Sequence, residues 1–97
     1  MTAKRLLIVE DDPALGQMLT LQFEDAGLLA ACAQRCAEGL RRIQSSPVDL
    51  LLLDQQLPDG RGMDLIAPAL ELDPELPIVM MTGQHDLELA IEAIQLP

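Results

Sequence analysis

The sequence predicts an α/β fold, a doubly wound parallel sheet, and three observations carry that prediction. Four short apolar runs, RLLIV, LLAAC, VDLLLLD and IVMMT, are spread along 97 residues, each of strand length. Between them lie segments whose apolar residues recur at spacings of three and four, with short connections, so strand and helix alternate. The third run is apolar without a break at Leu50–Leu53, the pattern of a strand covered on both faces in a parallel sheet. A chain of this length is expected to form one domain with a modest core.

The first strand is expected over Arg5–Val9 and stops at Glu10, Asp11 and Asp12. Asp12 can cap the following helix, and Pro13 suits its first position, where a missing N–H leaves no bond unmade. That helix places Leu15, Met18, Leu19, Gln22, Phe23 and Ala26 on one face, and Gly27 ends it. The second strand is read as Leu28–Cys32. The second helix covers Arg35–Gln44, with Cys36, Ala37, Leu40 and Ile43 inward. The third strand runs through Val48–Asp54 into a turn built from Pro58, Asp59 and Gly60. A third helix is expected over Met63–Leu72, with Pro68 in its second turn as a source of bending. The fourth strand is Ile78–Thr82, and a last helix starts near Asp86. Leu87, Ala90, Ile91 and Ile94 form its sheet-facing side. Leu89, Ala93 and Leu96 form a second apolar strip, a candidate interface.

Composition narrows the function. Nearly half the residues are hydrophobic but Phe23 is the single aromatic, so the core is aliphatic. Net charge is −10, from 16 acids against 6 bases. Without clustered Lys and Arg, direct nucleic-acid contact is not expected; a cation or a basic partner suits the charge. Cys32 and Cys36 read as two reduced thiols, since His85 is the one histidine and a zinc site needs more ligands. His85 itself reads as a solvated or capping loop residue, Arg61 as a surface loop arginine, and the methionines as core filler. No run reaches membrane-spanning length and no apolar leader follows Lys4 and Arg5, so a cytoplasmic location is expected.

The acids fall at strand ends. Glu10 and Asp11 close the first strand, Asp54 the third, and the hydroxyl of Thr82 the fourth. If these strands are parallel neighbours, the four side chains converge on one edge, where ligands of such sheets bind. Two carboxylates about 4 Å apart repel by roughly 4 kcal/mol at an effective dielectric near 20. Three such pairs cost on the order of 10 kcal/mol, comparable to the whole stability of a small domain. Either some acids are protonated or a cation sits among them. Hard oxygen ligands favour Mg²⁺, which takes one or two carboxylates and leaves a side for water or phosphate.

LLIVEDD at Leu6–Asp12, LLLLDQQLPDGRG at Leu50–Gly62 and MMTG at Met80–Gly83 together resemble the receiver domain of two-component response regulators, across essentially the whole chain. The resemblance implies a flavodoxin-like fold with strand order 2-1-3-4. It implies that Asp54 is the phosphoacceptor, taking a phosphoryl group from a phosphohistidine on a sensor histidine kinase. Mg²⁺ would be held by Glu10, Asp11, Asp54 and the backbone carbonyl of Gln56, with Thr82 as the switch hydroxyl. Pro58 and Gly62 match the family's loop after the acceptor. The segment from Thr82 to Leu96 is similar to receivers of activators that work with the nitrogen-type alternative sigma factor. The family pattern goes on to a fifth strand, a fifth helix and a lysine that pairs with the phosphate. None has a counterpart here, so residues 1–97 read as a C-terminally incomplete receiver.

That absence leaves the fourth strand as a sheet edge, and self-association through it or through the fourth helix is expected. Two other readings stay open. One is an interaction or dimerisation module that works without phosphorylation. The other is a metal-dependent phosphatase with Asp54 as nucleophile, but such enzymes typically carry a second Asp two residues on, where this chain has Gln56. No P-loop is present, and Gly60 to Gly62 is too short for a dinucleotide fingerprint.

Overall fold

The computed structural model describes residues 3–81, which form β1 (Arg5–Val9), α1 (Pro13–Asp25), β2 (Leu29–Ala33), α2 (Cys36–Ser45), β3 (Leu50–Asp54), a small hairpin of β4 (Gln56–Leu57) and β5 (Gly60–Arg61), a 3-10 turn over Gly62–Leu65, α3 (Ile66–Leu72) and β6 (Ile78–Met81). The main sheet is parallel in the order β2-β1-β3-β6. With β6 as the fourth long strand, this is the expected order. Residues 82–97, and with them Thr82, His85 and the strip of Leu89, Ala93 and Leu96, lie outside the described residues.

Period-two alternation along β1 and β3 sends side chains to opposite faces. Leu6, Ile8, Leu50 and Leu52 meet α1 through Leu19 and Phe23, with Leu28 from the connection after the helix closing the cluster. Leu7, Val9, Leu51 and Leu53 meet α2 through Ile43, the 3-10 turn through Leu65 and α3 through Ala69. Leu51, Leu52 and Leu53 have no exposed surface, as the unbroken leucine run predicts. Each fully buried Leu contributes about 1.5–3 kcal/mol of burial free energy. At the start of β3, Asp49 joins the two central strands: its N–H donates to the Arg5 carbonyl at 2.8 Å, and its Oδ2 accepts from the Arg5 N–H at 2.8 Å.

Asp12 caps α1 as expected, its Oδ1 accepting from the N–H of Ala14 at 3.0 Å and of Leu15 at 3.4 Å. Gly27, at φ 94°, turns the chain out of the helix. The N–H of Gly27 bonds Glu24 and that of Leu28 bonds Phe23, the reciprocal pair of a Schellman end. The buried face of α1 differs from the expected one. It runs through Gly16, Leu19 and Phe23, with Leu15 and Thr20 half-buried, while Met18 is 46% exposed and Gln22 and Ala26 also face solvent. The cause is Gly16: a Cβ there would stand 2.8 Å from the Cys32 Sγ, so α1 approaches β2 on its glycine side.

Four elements also shift their bounds, β3 beginning at Leu50 in place of Val48. β2 is one residue later than Leu28–Cys32. α2 starts at Cys36 and ends at Ser45, with Gly39 and Ile43 buried and Ala37 exposed. The third helix begins as a 3-10 turn and becomes α-helical at Ile66, which puts Pro68 in the first α-helical turn. There its missing N–H removes no helical bond, so the expected bend has no cause.

Candidate functional site

The carboxyl edge of the two central strands gathers the acids. Backbone pairing extends past β1, because the Glu10 N–H donates to the Ala33 carbonyl at 2.9 Å. This holds Glu10 inside the sheet edge at 4% exposure, with its Oε2 accepting from the Asp12 N–H at 3.0 Å. Asp11 turns to solvent, and Asp54, last residue of β3 and in register with Met81, is half-buried. One carboxylate oxygen from each of Glu10, Asp11 and Asp54 lies within 4.8 Å of the others.

Burial pushes the Glu10 carboxyl up to about 7 from an ordinary 4.5; the Asp12 N–H bond opposes the shift, and the neighbouring Asp11 and Asp54 add to it. Desolvation, more than repulsion within the trio, dominates here. The exposure of Asp11 screens its charge, so the mutual repulsion is smaller than three buried pairs would give. The donor set is three hard oxygens around one point, with one buried acid that a positive charge would let ionise. That fits a small divalent cation such as Mg²⁺.

The stretch after Asp54 is built against the acid itself. The Gly62 N–H donates to the Gln55 carbonyl at 3.2 Å. A Cβ on Gly62 would overlap the backbone carbonyl oxygen of Asp54 and lie 3.2 Å from the Leu53 Cβ. Only a glycine lets the chain return this closely. Between these points Gln56 pairs with Arg61 and Leu57 with Gly60, and Pro58 and Asp59 make the turn. The Arg61 N–H donates to Asp64 Oδ2 at 3.0 Å, which opens the 3-10 turn.

Sequence reasoning brought Glu10, Asp11 and Asp54 together correctly and missed Asp59. Its Oδ1 accepts from the Cys36 N–H at 2.8 Å and its Oδ2 from the Ala37 N–H at 3.0 Å, so it caps α2 from the hairpin. Those two bonds hold the Asp59 carboxyl below its ordinary 3.8. Beside it, the Cys36 Sγ lies 3.5 Å from the Arg61 carbonyl. Burial and the Asp59 charge push the Cys36 thiol up, and burial pushes up that of Cys32, so both favour the thiol form. The available signal for Asp59 was indirect: Arg35 occupies the N-cap of α2 and makes no side-chain capping bond.

Comparison with known proteins converges on one family. Residues 6–97 match the response regulator receiver domain. The chain is 32% identical over 95 residues to the response regulator protein PilR of Pseudomonas aeruginosa, covering 98% of this chain and 21% of PilR. It is 33% identical over 90 residues to the transcriptional regulatory protein GlrR of Escherichia coli, covering 93% of this chain and 20% of that protein. The chain thus spans about a fifth of the length of these relatives. Among solved structures, a CheY-like receiver domain protein from Methanospirillum hungatei superimposes with a TM-score of 0.79 at 29% identity, over 93% of this chain and 76% of that one.

Proposed function

This chain belongs to the response regulator receiver domain family, and we propose that Asp54 is its phosphoacceptor. The observation that carries this is the meeting of Glu10, Asp11 and Asp54 within 4.8 Å at the carboxyl edge of the central strands. A carboxylate oxygen of Asp54 attacks the phosphorus of a phosphohistidine on a sensor histidine kinase. The new O–P bond forms as the P–N bond breaks, and the electron pair returns to the imidazole. Glu10, Asp11, Asp54 and the Gln56 carbonyl are the residues to hold Mg²⁺, which when bound offsets the charge on the phosphoryl oxygens. For Glu10 to serve, it gives up the proton that burial favours. Thr82 follows directly on Met81, the register partner of Asp54, and is assigned the switch role.

The relatives are named as a response regulator and a transcriptional regulatory protein. A transcriptional output governed by this domain in a longer protein is therefore proposed, with the net charge of −10 arguing against DNA contact by the domain itself. Among the described residues no helix is long and apolar enough to cross a membrane, and a cytoplasmic location is proposed. The test is incubation with Mg²⁺ and acetyl phosphate, followed by intact mass. A single phosphoryl adduct that vanishes in Asp54→Asn is expected. An adduct that persists in that variant would place the acceptor elsewhere, and sustained phosphate release would favour the phosphatase reading.

A further inference from the structure

The hairpin after Asp54 is held at two ends. At one end Gly62 lies against the backbone carbonyl of Asp54, with no room for a Cβ. At the other, the Asp59 carboxylate receives the first two free N–H groups of α2, at 2.8 and 3.0 Å. Helices ordinarily satisfy these groups with a local Ser, Thr, Asp or Asn; Arg35 stands in that place here and caps nothing. The capping group instead comes from 22 and 23 residues further along the chain. One carboxylate thus completes α2 and ties down the tip of the hairpin that follows the acceptor.

We infer that Asp59 is a positioning residue for Asp54, fixing the acceptor loop by anchoring it to α2. This inference rests on the phosphoacceptor reading of Asp54. Two hydrogen bonds to a rigid helix end remove the swing of a hairpin whose own ladder is only two residue pairs. Cys36 adds a weak third contact through its Sγ to the Arg61 carbonyl. Because Gly62 packs on the Asp54 carbonyl, a free hairpin loosens the end of β3 and lets Gln56 drift relative to Glu10 and Asp11, and small misplacements at a reacting centre carry large rate penalties.

Capping and tethering separate in a double variant. Asp59→Ala removes both. Adding Arg35→Ser supplies a local cap at a residue whose extended backbone, φ −140° and ψ 155°, suits one, and leaves the loop untied. Asp59→Asn retains one accepting oxygen. The measurements are the rate of Asp54 modification by acetyl phosphate at saturating Mg²⁺, and hydrogen exchange at Cys36, Ala37 and Gly62, under conditions where circular dichroism shows every variant folded.

Asp59→Ala is expected to slow modification about 10-fold and to speed exchange at all three amides. Arg35→Ser with Asp59→Ala regains protection at Cys36 and Ala37 but keeps the slow rate and the fast Gly62 exchange. Asp59→Asn recovers most of the rate, and Arg35→Ser alone keeps it. A wild-type rate in Asp59→Ala, or full recovery of rate in the double variant, overturns the inference. Failure of the wild-type chain to be modified counts against the phosphoacceptor reading alone, and an unchanged Gly62 exchange in Asp59→Ala then overturns the tether independently.

Discussion

Glu10 sets the pH behaviour of the site. Its carboxyl is carried to about 7 in the folded chain against 4.5 outside it, so between those values the folded state holds a proton that the unfolded state has lost. Stability from this group is fully present below about 4.5 and is lost as pH rises through about 7. Urea midpoints measured from pH 5 to 8 without divalent cation should fall more steeply for the wild type than for Glu10→Gln. Mg²⁺ affinity should run the opposite way, rising through the same window, because the cation needs the carboxylate. Asp59 has the other sign: its folded value is lowered, so its contribution is lost as pH falls. The three clustered acids were legible because each sits at the end of an apolar run, a local reading. Asp59 was not, because its partners are α2 amides far back in the chain, and no spacing rule reaches that distance.

At the scale of elements, strands and caps were legible and faces were less so. RLLIV, LLLLD, Asp12 before Pro13, and Gly27 carry their own short-range chemistry. The face of α1 does not, because apolar residues occupy both the expected and the observed side, and the choice falls to the close approach at Gly16. The two faces agree on Phe23 and differ on Met18. Phe23→Ala, at a site with no exposed surface, should cost about 3–5 kcal/mol. Met18→Ala, placed on the same stripe by spacing but 46% exposed, should stay within about 0.5 kcal/mol. Equal losses in a urea titration would contradict the observed rotation. α3 teaches a related point: Pro68 marks where the α-helix begins, and the 3-10 turn before it takes up the close return at Gly62.

At the scale of the molecule, the sheet divides the core of the described residues into two clusters that share no buried side chain. Phe23 lies in one and Ile43 in the other, so Phe23→Leu and Ile43→Val should add in their effect on stability to within about 0.5 kcal/mol. A larger coupling in the double-mutant cycle would show that the sheet transmits strain between its faces. Alternation of strand and helix was enough to read the fold class. The strand order was not in the periodicity, since the pattern of a buried strand such as Leu50–Leu53 states that it is covered without saying which strands flank it. That order came from the family resemblance, and the register pairs of β1, β2, β3 and β6 agree with it.

The contact between the Cys36 Sγ and the Arg61 carbonyl has a practical use. Cys36 sits at the point where the acceptor hairpin meets α2, so its accessibility to a thiol-reactive dye follows whether the two are seated together. The chain therefore carries a built-in chemical gauge of loop docking, readable by labelling kinetics without adding a foreign probe, with Cys32 on the far side of the β2–α2 junction as an internal reference.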